Sequence, residues 1–481
     1  MAILCQLQNN IFPRSYSSFW VQRINSLLLL SLTLLCICTP INLHASTAKP
    51  NILILVADDA SWRDFGVYGN ELIDTPNIDR IANNGFLSTN AFLTTSQCSP
   101  SRISILSGRY PHSTDAEDLH MPAPEGLKLI PSFLKDLGYS SALIRKSHLG
   151  KNGDKQFDFY SKNLADFPEF LNKNGDKPFF AWIGFKDPHR PYRPTNIEPP
   201  QKPENVKVAP FLIDDTATRG DLVLYYEYIR RMDGKIGVYI DELQQRGLLE
   251  NTLIVFISDN GAPFPREKGS LYDSGVKTPW VMQWPAKMPA GKSSDALISV
   301  IDLAPTLLDL VGIKQPASMQ GTPIKGLVEG NPAPRDYVFF ERNWHNIDEH
   351  MRGVRNHRYK LIRNAYLEHP HGTASDIGDS PSYLSLIKAR NNQQLTKAQA
   401  RLFEMPRAEY ELYDVENDPY ELNNLAGQAK YAAIQAELTK ALDKWLAETN
   451  DFPPSERRRH NNTDLHSGVK FDQTKLPPRI N

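Results

Sequence analysis

The chain has 481 residues, 41% hydrophobic and 23% charged, which excludes a disordered polymer and a single small core and points to two domains. Its 54 basic and 55 acidic side chains nearly cancel, so no global basic field exists to grip nucleic acid and any anion site must be local. Proline at 36 and glycine at 27 favour long ordered loops over low complexity.

At the N-terminus, Arg14 and Arg23 precede an apolar run over 27–38. That run is shorter than the ~20 residues a bilayer span needs. With Leu43, His44 and Ala45 behind it, it predicts a secretory signal over 1–45, cleaved near Ala45, with no stable membrane insertion. The protein is therefore expected to be secreted or periplasmic. Cys5, Cys36 and Cys38 fall in this segment, leaving Cys98 alone in the mature chain, unable to form an intrachain disulfide. The single sequon, Asn461, Asn462 and Thr463, favours a bacterial periplasm over eukaryotic secretion.

Residues 51–57 form a continuous apolar run ending in Asp58 and Asp59, the pattern of a buried parallel strand. Thr75 and Pro76 open a helix that Gly85 closes. A short helix is predicted over 131–137 and strands over 139–144 and 178–185. A long amphipathic helix over 218–246 carries Leu222, Tyr225, Ile229, Met232, Ile236, Tyr239 and Leu243 at three- and four-residue steps. Residues 252–257 read as a second core strand, ending in Ser258, Asp259 and Asn260, and 302–310 as a further helix. This alternation predicts an α/β domain with a mostly parallel sheet over 46–325. Short strands at 337–340, 351–354, 359–362 and 411–413, then a helix over 432–449, predict a smaller α+β domain over 326–450 with an antiparallel sheet. The tail, 451–481, contains Arg457, Arg458 and Arg459 and reads as a loosely packed extension.

Ligands of open α/β sheets sit at the carboxyl ends of the strands. Asp58, Asp59, Asp259 and Asn260 would then place hard oxygen ligands on one rim, suited to Ca²⁺. Each pair equally suits a strand-end turn or a helix cap. No cysteine–histidine cluster suggests zinc. Pro100 sits at a helix-opening position, so Cys98 would lie at a helix N-terminus, where backbone N–H groups favour an anion. Arg102, one turn along, can point back at that anion. A buried, inert cysteine is the other reading of Cys98.

The string Cys98, Pro100, Ser101, Arg102, continued by Gly108 and Arg109, resembles the Cys-x-Pro-Ser-Arg signature of the formylglycine-dependent sulfatases. Gly138 and Tyr139, with Lys146, His148 and Gly150, resemble that family's Gly-Tyr…Gly-Lys-Trp-His-Leu-Gly block; Arg145 and Ser147 depart from its usual Gly and Trp. Asp187, Pro188, His189 and Arg190 resemble the loop carrying its second catalytic histidine. Asp259, Asn260 and Gly261, then Lys268 and Gly269 through Pro279, resemble its Asp-Asn-Gly…Lys-Gly segment, with Lys277 for Arg and Ser274 for Gly. The likeness covers roughly 50–445. It is nearest the sulfamidase, or N-sulfoglucosamine sulfohydrolase, branch, through Asp187 to Arg190, Arg231, Asp233, Pro265, Lys444, Trp445 and Asp451.

The resemblance implies an alkaline-phosphatase-like sandwich and a sulfuric ester hydrolase. It implies that a formylglycine-generating maturation enzyme converts Cys98 to formylglycine (3-oxoalanine). One Ca²⁺ would be held by Asp58, Asp59, Asp259, Asn260 and residue 98. The hydrated aldehyde would attack sulfur with help from Asp259, while Arg102, Lys146 and Lys268 hold the sulfate. His189 would protonate the leaving group and His148 would take the proton from the second hydroxyl. The expected substrate is a sulfated oligosaccharide, from a glycosaminoglycan or an algal polysaccharide, N- or O-sulfated. Two alternatives are a formylglycine-dependent phosphonate or phosphodiester hydrolase and a non-catalytic glycan binder; the full set of site residues disfavours the latter. Arg190 is a further candidate for substrate contact. An exo-acting pocket is expected, walled partly by a polar loop containing Asn343, His345 and Asp348.

Overall fold

The computed structural model describes residues 49–345 and 347–454. The expected signal segment, Cys5, Cys36, Cys38, the three tail arginines and the sequon lie outside the described residues. Among the described residues, no helix is long and apolar enough to cross a membrane.

Strand β1 (Asn51–Ala57) is buried at every position because its side chains feed two cores. Ile52, Ile54 and Val56 face one, and Leu53, Leu55 and Ala57 the other. At about 1.5–3 kcal/mol for each large aliphatic side chain, this run drives the strand into the centre of the fold. On the first face lies α2 (Cys98–Ser107), through Ile103, Ile105 and Leu106. On the second lie α1 (Pro76–Asn83) and the long helix α3 (Thr216–Gln245), which buries the stripe from Leu222 to Leu243. Asp215 caps α3 by accepting from the Thr218 amide at 2.8 Å.

The remaining strands of this sheet are β2 (Phe86–Phe92), β3 (Ser140–Arg145), β4 (Phe159–Ser161), β5 (Phe179–Gly184), β6 (Thr252–Ser258), β7 (Lys277–Gln283), β8 (Lys292–Ser294) and β9 (Ile298–Ser299). Their order is β4-β3-β5-β1-β6-β7-β2-β8, with β9 also on β2. From β4 to β6 all neighbours are parallel; β7 is antiparallel to both β6 and β2. The register pairs Ala57 with Ser258, so Asp58 and Asp259 leave adjacent strands at the same rim.

A second, antiparallel sheet runs β10 (Val338–Trp344), β11 (Asp348–Arg355), β12 (Tyr359–Asn364), β13 (Tyr410–Asp414). Phe340, Met351, Ile362 and Tyr413 join the first core, while Val354, Leu361 and Leu412 pack on Leu438, Leu442 and Trp445 of the last helix, α5 (Ala432–Thr449). Helix α4 (Pro381–Asn391) returns to the α3 layer through Tyr383, Leu386 and Ile387.

Asn343 and Asp348 do not sit in a polar loop: Asn343 lies in β10 and Asp348 opens β11, and the two strands pair antiparallel with a register shift between Arg342 and Trp344. The stretch looks loop-like in sequence because its buried charges are paired in the protein interior. Arg342 pairs with Glu349, Glu349 with Arg407, and Arg352 with Asp451.

Candidate active site

The site forms where parallel strands end. Asp58 and Asp59 follow β1, Asp259 and Asn260 follow β6, Lys146 and His148 follow β3, and His189 sits in the loop after β5. Helix α2 brings Cys98 and Arg102 over this rim, with Cys98 as its first residue.

The acidic cluster is wholly buried, and one carboxylate oxygen from each of Asp58, Asp59 and Asp259 lies within 4.8 Å of the others. The Asp59 amide donates to Asp259 Oδ1 at 3.2 Å. Asn260 Nδ2 donates to Asp59 Oδ1 at 3.0 Å, to Asp259 Oδ1 at 3.0 Å and to Cys98 Sγ at 3.1 Å. Asp58 Oδ2 and Asn260 Oδ1 are buried with no hydrogen-bond partner. Orphaned hard oxygens converging among three carboxylates fit a hard divalent cation such as Ca²⁺, which would satisfy them and offset their mutual repulsion.

Three cations face this cluster, Arg102 and Lys268 buried and Lys146 partly so. Arg102 Nε donates to Asp259 Oδ2 at 2.6 Å and Arg102 Nη1 to the Lys146 carbonyl at 2.9 Å. Lys146 Nζ pairs with Asp58 Oδ1 at 2.5 Å. Lys268 Nζ donates to Asp59 Oδ2 and to Asp376 Oδ2, both at 2.7 Å. Burial would raise the Asp58 carboxyl, but Lys146, His189 and Arg102 outweigh it and hold it at about 2. For Asp59, burial prevails over Lys268 and His189 and lifts the carboxyl to about 6. Burial also pushes the Cys98 thiol up to about 12, so an unmodified Cys98 carries little thiolate.

The two histidines differ. His189 Nε2 stands 3.4 Å from Asp376 Oδ2 and 3.8 Å from Asp59 Oδ2, with its side chain 28% exposed. His148 is lowered to about 3 by burial and by the Lys146 and Arg102 charges, so it is neutral at ordinary pH. Its Nε2 lies 2.9 Å from His120 Nδ1, and its Nδ1 is buried without a partner. Asp59, His120, Arg145 and His148 all have φ between 63° and 76°, the left-handed region that disfavours side chains. Such strain concentrates at functional sites.

Cys98, Arg102, Lys146, His148, His189, Lys268 and the oxygen ligands are thus brought to one rim. Arg190 is anchored beside it: Nη1 and Nη2 donate to Asp221 at 2.7 Å each and Nε to the Pro263 carbonyl at 2.8 Å, which braces the His189 loop. His345 is buried within electrostatic reach of Lys268, Asp376 and His120. Asp348 is buried at the start of β11, where its carbonyl lies 3.0 Å from His369 Nε2. Asp376 and His120 escaped the sequence reading. Both lie in irregular segments, and no periodicity or motif marks them.

A family model described as Sulfatase matches residues 50–167 and 158–313, and one described as N-sulphoglucosamine sulphohydrolase, C-terminal, matches 266–405. The chain is 30% identical over 473 residues to an ulvan-active sulfatase of Formosa agariphila, covering 85% of this chain and 77% of that one. It is 31% identical over 460 residues to the human N-sulphoglucosamine sulphohydrolase, covering 84% and 91%. A solved structure of a protein in complex with its substrate D-glucosamine-2-N,6-O-disulfate superposes with TM-score 0.67 at 22% identity, over 84% of this chain and 99% of that one. A phosphonate monoester hydrolase of Agrobacterium radiobacter superposes with TM-score 0.65 at 19% identity, over 89% and 100%. The architecture is the alkaline-phosphatase-like sandwich with a mostly parallel central sheet and a separate antiparallel one.

Proposed function

The chain belongs to the sulfatase family, nearest its sulfamidase branch, and we propose that it removes sulfate from sulfated oligosaccharides using Cys98 matured to formylglycine and one Ca²⁺. The observation carrying this reading is the convergence around Cys98 of an oxygen cluster and three cations. When bound, Ca²⁺ would supply Lewis-acid charge, and the hydrated aldehyde of residue 98 the nucleophile. Asp58, Asp59, Asp259, Asn260 and residue 98 would hold the ion.

The chain's other residues then have distinct work. Arg102, Lys146 and Lys268 are fixed by carboxylates before substrate arrives, so they bind the sulfate oxygens and stabilise added charge without reorganising. His189 holds a proton at Nε2 for the departing sugar oxygen or nitrogen. His148, neutral, accepts a proton at Nδ1, its unpartnered nitrogen, while His120 fixes its Nε2. His345 and Asp348, with Arg190, are assigned to the substrate wall. The catalytic residues belong to 46–325, with 326–450 as the covering domain. The segment 1–45 directs export to the periplasm or beyond.

The relatives' names support a sulfated sugar as substrate and include both N-sulphoglucosamine and ulvan. Free sulfate released from a panel of N- and O-sulfated oligosaccharides tests the reading, with mass spectrometry of the peptide bearing residue 98. Turnover of aryl phosphodiesters in preference to aryl sulfates would replace it with the phosphonate or phosphodiester reading. Full activity with an intact thiol at position 98 would remove the formylglycine.

A further inference from the structure

Beside the scissile centre, β4, β3 and β5 end next to one another, with Ile144 opposite Ser161 and Arg145 opposite Gly184. Each delivers a cation to the same rim: Lys162 just past β4, Arg145 at the end of β3, Lys186 just past β5. All three line one cavity of about 820 Å³, whose wall also includes Lys146, His148 and His189. That volume is near the upper end for a small-molecule site and exceeds what one sulfate group needs.

Two of the cavity's three carboxylates are paired with cations, and the third, Asp154, meets only a neutral hydroxyl. Asp58 pairs with Lys146, Asp187 with Arg231 and Lys235, and Asp154 accepts from Ser147. Arg145 Nη1 donates to the Lys162 carbonyl at 2.9 Å, a neutral acceptor. Arg145, Lys162 and Lys186 have no carboxylate partner among the described residues, so three unpaired cations face the cavity against the single unpaired carboxylate of Asp154. Arg145 holds φ at 76°, where glycine would be unstrained, so the side chain is placed there at a conformational cost. Tyr160, 44% exposed on β4, lines the same cavity and offers an aromatic face to a sugar ring.

We propose that this wall is a subsite for a second, anionic sugar attached to the residue that bears the scissile sulfate. Its ring lies on Tyr160, and its carboxylate or second sulfate is held by Arg145, Lys162 and Lys186. The inference rests on the sulfatase reading for the scissile group and adds the substrate class: an oligosaccharide with an anion on the neighbouring residue.

The test compares three sulfated disaccharides whose second residue is neutral, carries a uronate carboxylate, or carries a sulfate. Full-length protein and its Arg145→Gly and Lys162→Ala variants are measured, the first chosen because glycine suits the local φ. The preference in kcat/KM for an anionic over a neutral neighbour is expected to fall about tenfold in each variant, and with rising salt. The preferred anion separates carboxylate from sulfate. Calorimetry with a sulfate-free uronate disaccharide gives a readout that needs no turnover, and Arg145→Gly should weaken that binding about tenfold. No preference in the wild type, or one unchanged in both variants, overturns the subsite. Arg145-dependent binding without sulfate release from any disaccharide upholds the subsite and overturns the sulfatase reading instead.

Discussion

Asp376 Oδ2 accepts a hydrogen bond from Lys268 Nζ at 2.7 Å, and the same oxygen stands 3.4 Å from His189 Nε2. One carboxylate from an irregular segment therefore positions both a candidate sulfate-binding lysine and the candidate general acid. Lys268 is held well above its ordinary pKa: burial works against its charge, but Asp59 and Asp376 outweigh it. Replacing Asp376 with Asn keeps the shape and removes the charge. Lys268 and His189 would each lose part of their orientation, and kcat/KM for sulfate release is expected to fall about 10–100-fold. Steady-state kinetics across pH checks this. An unchanged kcat and unchanged pH profile would reduce Asp376 to a structural contact.

Chelation should destabilise the protein as well as silence it. Without a cation, Asp58, Asp59 and Asp259 crowd within 4.8 Å of one another, and Asp58 Oδ2 and Asn260 Oδ1 lack partners. Calcium at 100 times its Kd would add about 2.7 kcal/mol. Spread over an unfolding entropy of about 0.9 kcal/mol/K for ~430 residues, that is a Tm shift of about 3 °C. Differential scanning fluorimetry with EGTA, then with added Ca²⁺ or Zn²⁺, tests both presence and identity. Recovery by Zn²⁺ alone would contradict a hard-cation site.

The parts of this fold that read clearly in the sequence are those whose burial is simple. Asn51–Ala57 and Thr252–Ser258 are buried on both faces and therefore continuously apolar; Thr216–Gln245 is buried on one stripe and therefore periodic. The last helix, Ala432–Thr449, was legible to the residue. Strand Phe86–Phe92 was missed because Ser88, Thr89 and Asn90 interrupt it, and Asn343 was misplaced because paired buried charges mimic a solvated loop. Helix Pro381–Asn391 is marked in the sequence only by a cap and a short stripe: Ser380 accepts from the Tyr383 amide, and Tyr383, Leu386 and Ile387 follow helical spacing. The candidate site was legible because its residues fall in compact motifs. Asp376 and His120 were not, since they meet Lys268 and His148 only through tertiary packing.

The Arg190–Asp221 pair should matter more broken than absent. Both side chains are buried, their contact is bidentate at 2.7 Å, and Asp221 Oδ2 also accepts from Ser382 Oγ at 2.7 Å. Asp221→Ala leaves a buried guanidinium without its counter-ion and is expected to cost about 3–5 kcal/mol. Arg190→Met with Asp221→Leu removes both charges and should recover much of that loss. Urea unfolding of the single and double variants measures the difference. A single variant as stable as the wild type would show that Arg190 finds another partner or swings into the cavity.

His345 sets an acid limit on stability. Burial lowers its pKa to about 3, Lys268, Arg342 and His120 push the same way, and Asp376 opposes them. In the unfolded chain the imidazole titrates near its ordinary value, ~6.5. Between those values the unfolded state binds a proton that the native state refuses, so stability rises with pH in that window. The contribution is complete above pH ~6.5 and is lost progressively as pH falls towards 3. By pH ~5.5 the loss from this residue reaches about 1.4 kcal/mol. His345→Gln removes the titration and keeps a polar group, so its stability should fall less steeply than the wild type's from pH 7 to pH 5.5, while the two curves run parallel above pH 7.5. Urea midpoints across that range read the slope directly. Equal slopes below pH 6.5 would mean that His345 takes up its proton in the folded protein, and would remove it from the buried, neutral wall beside Lys268.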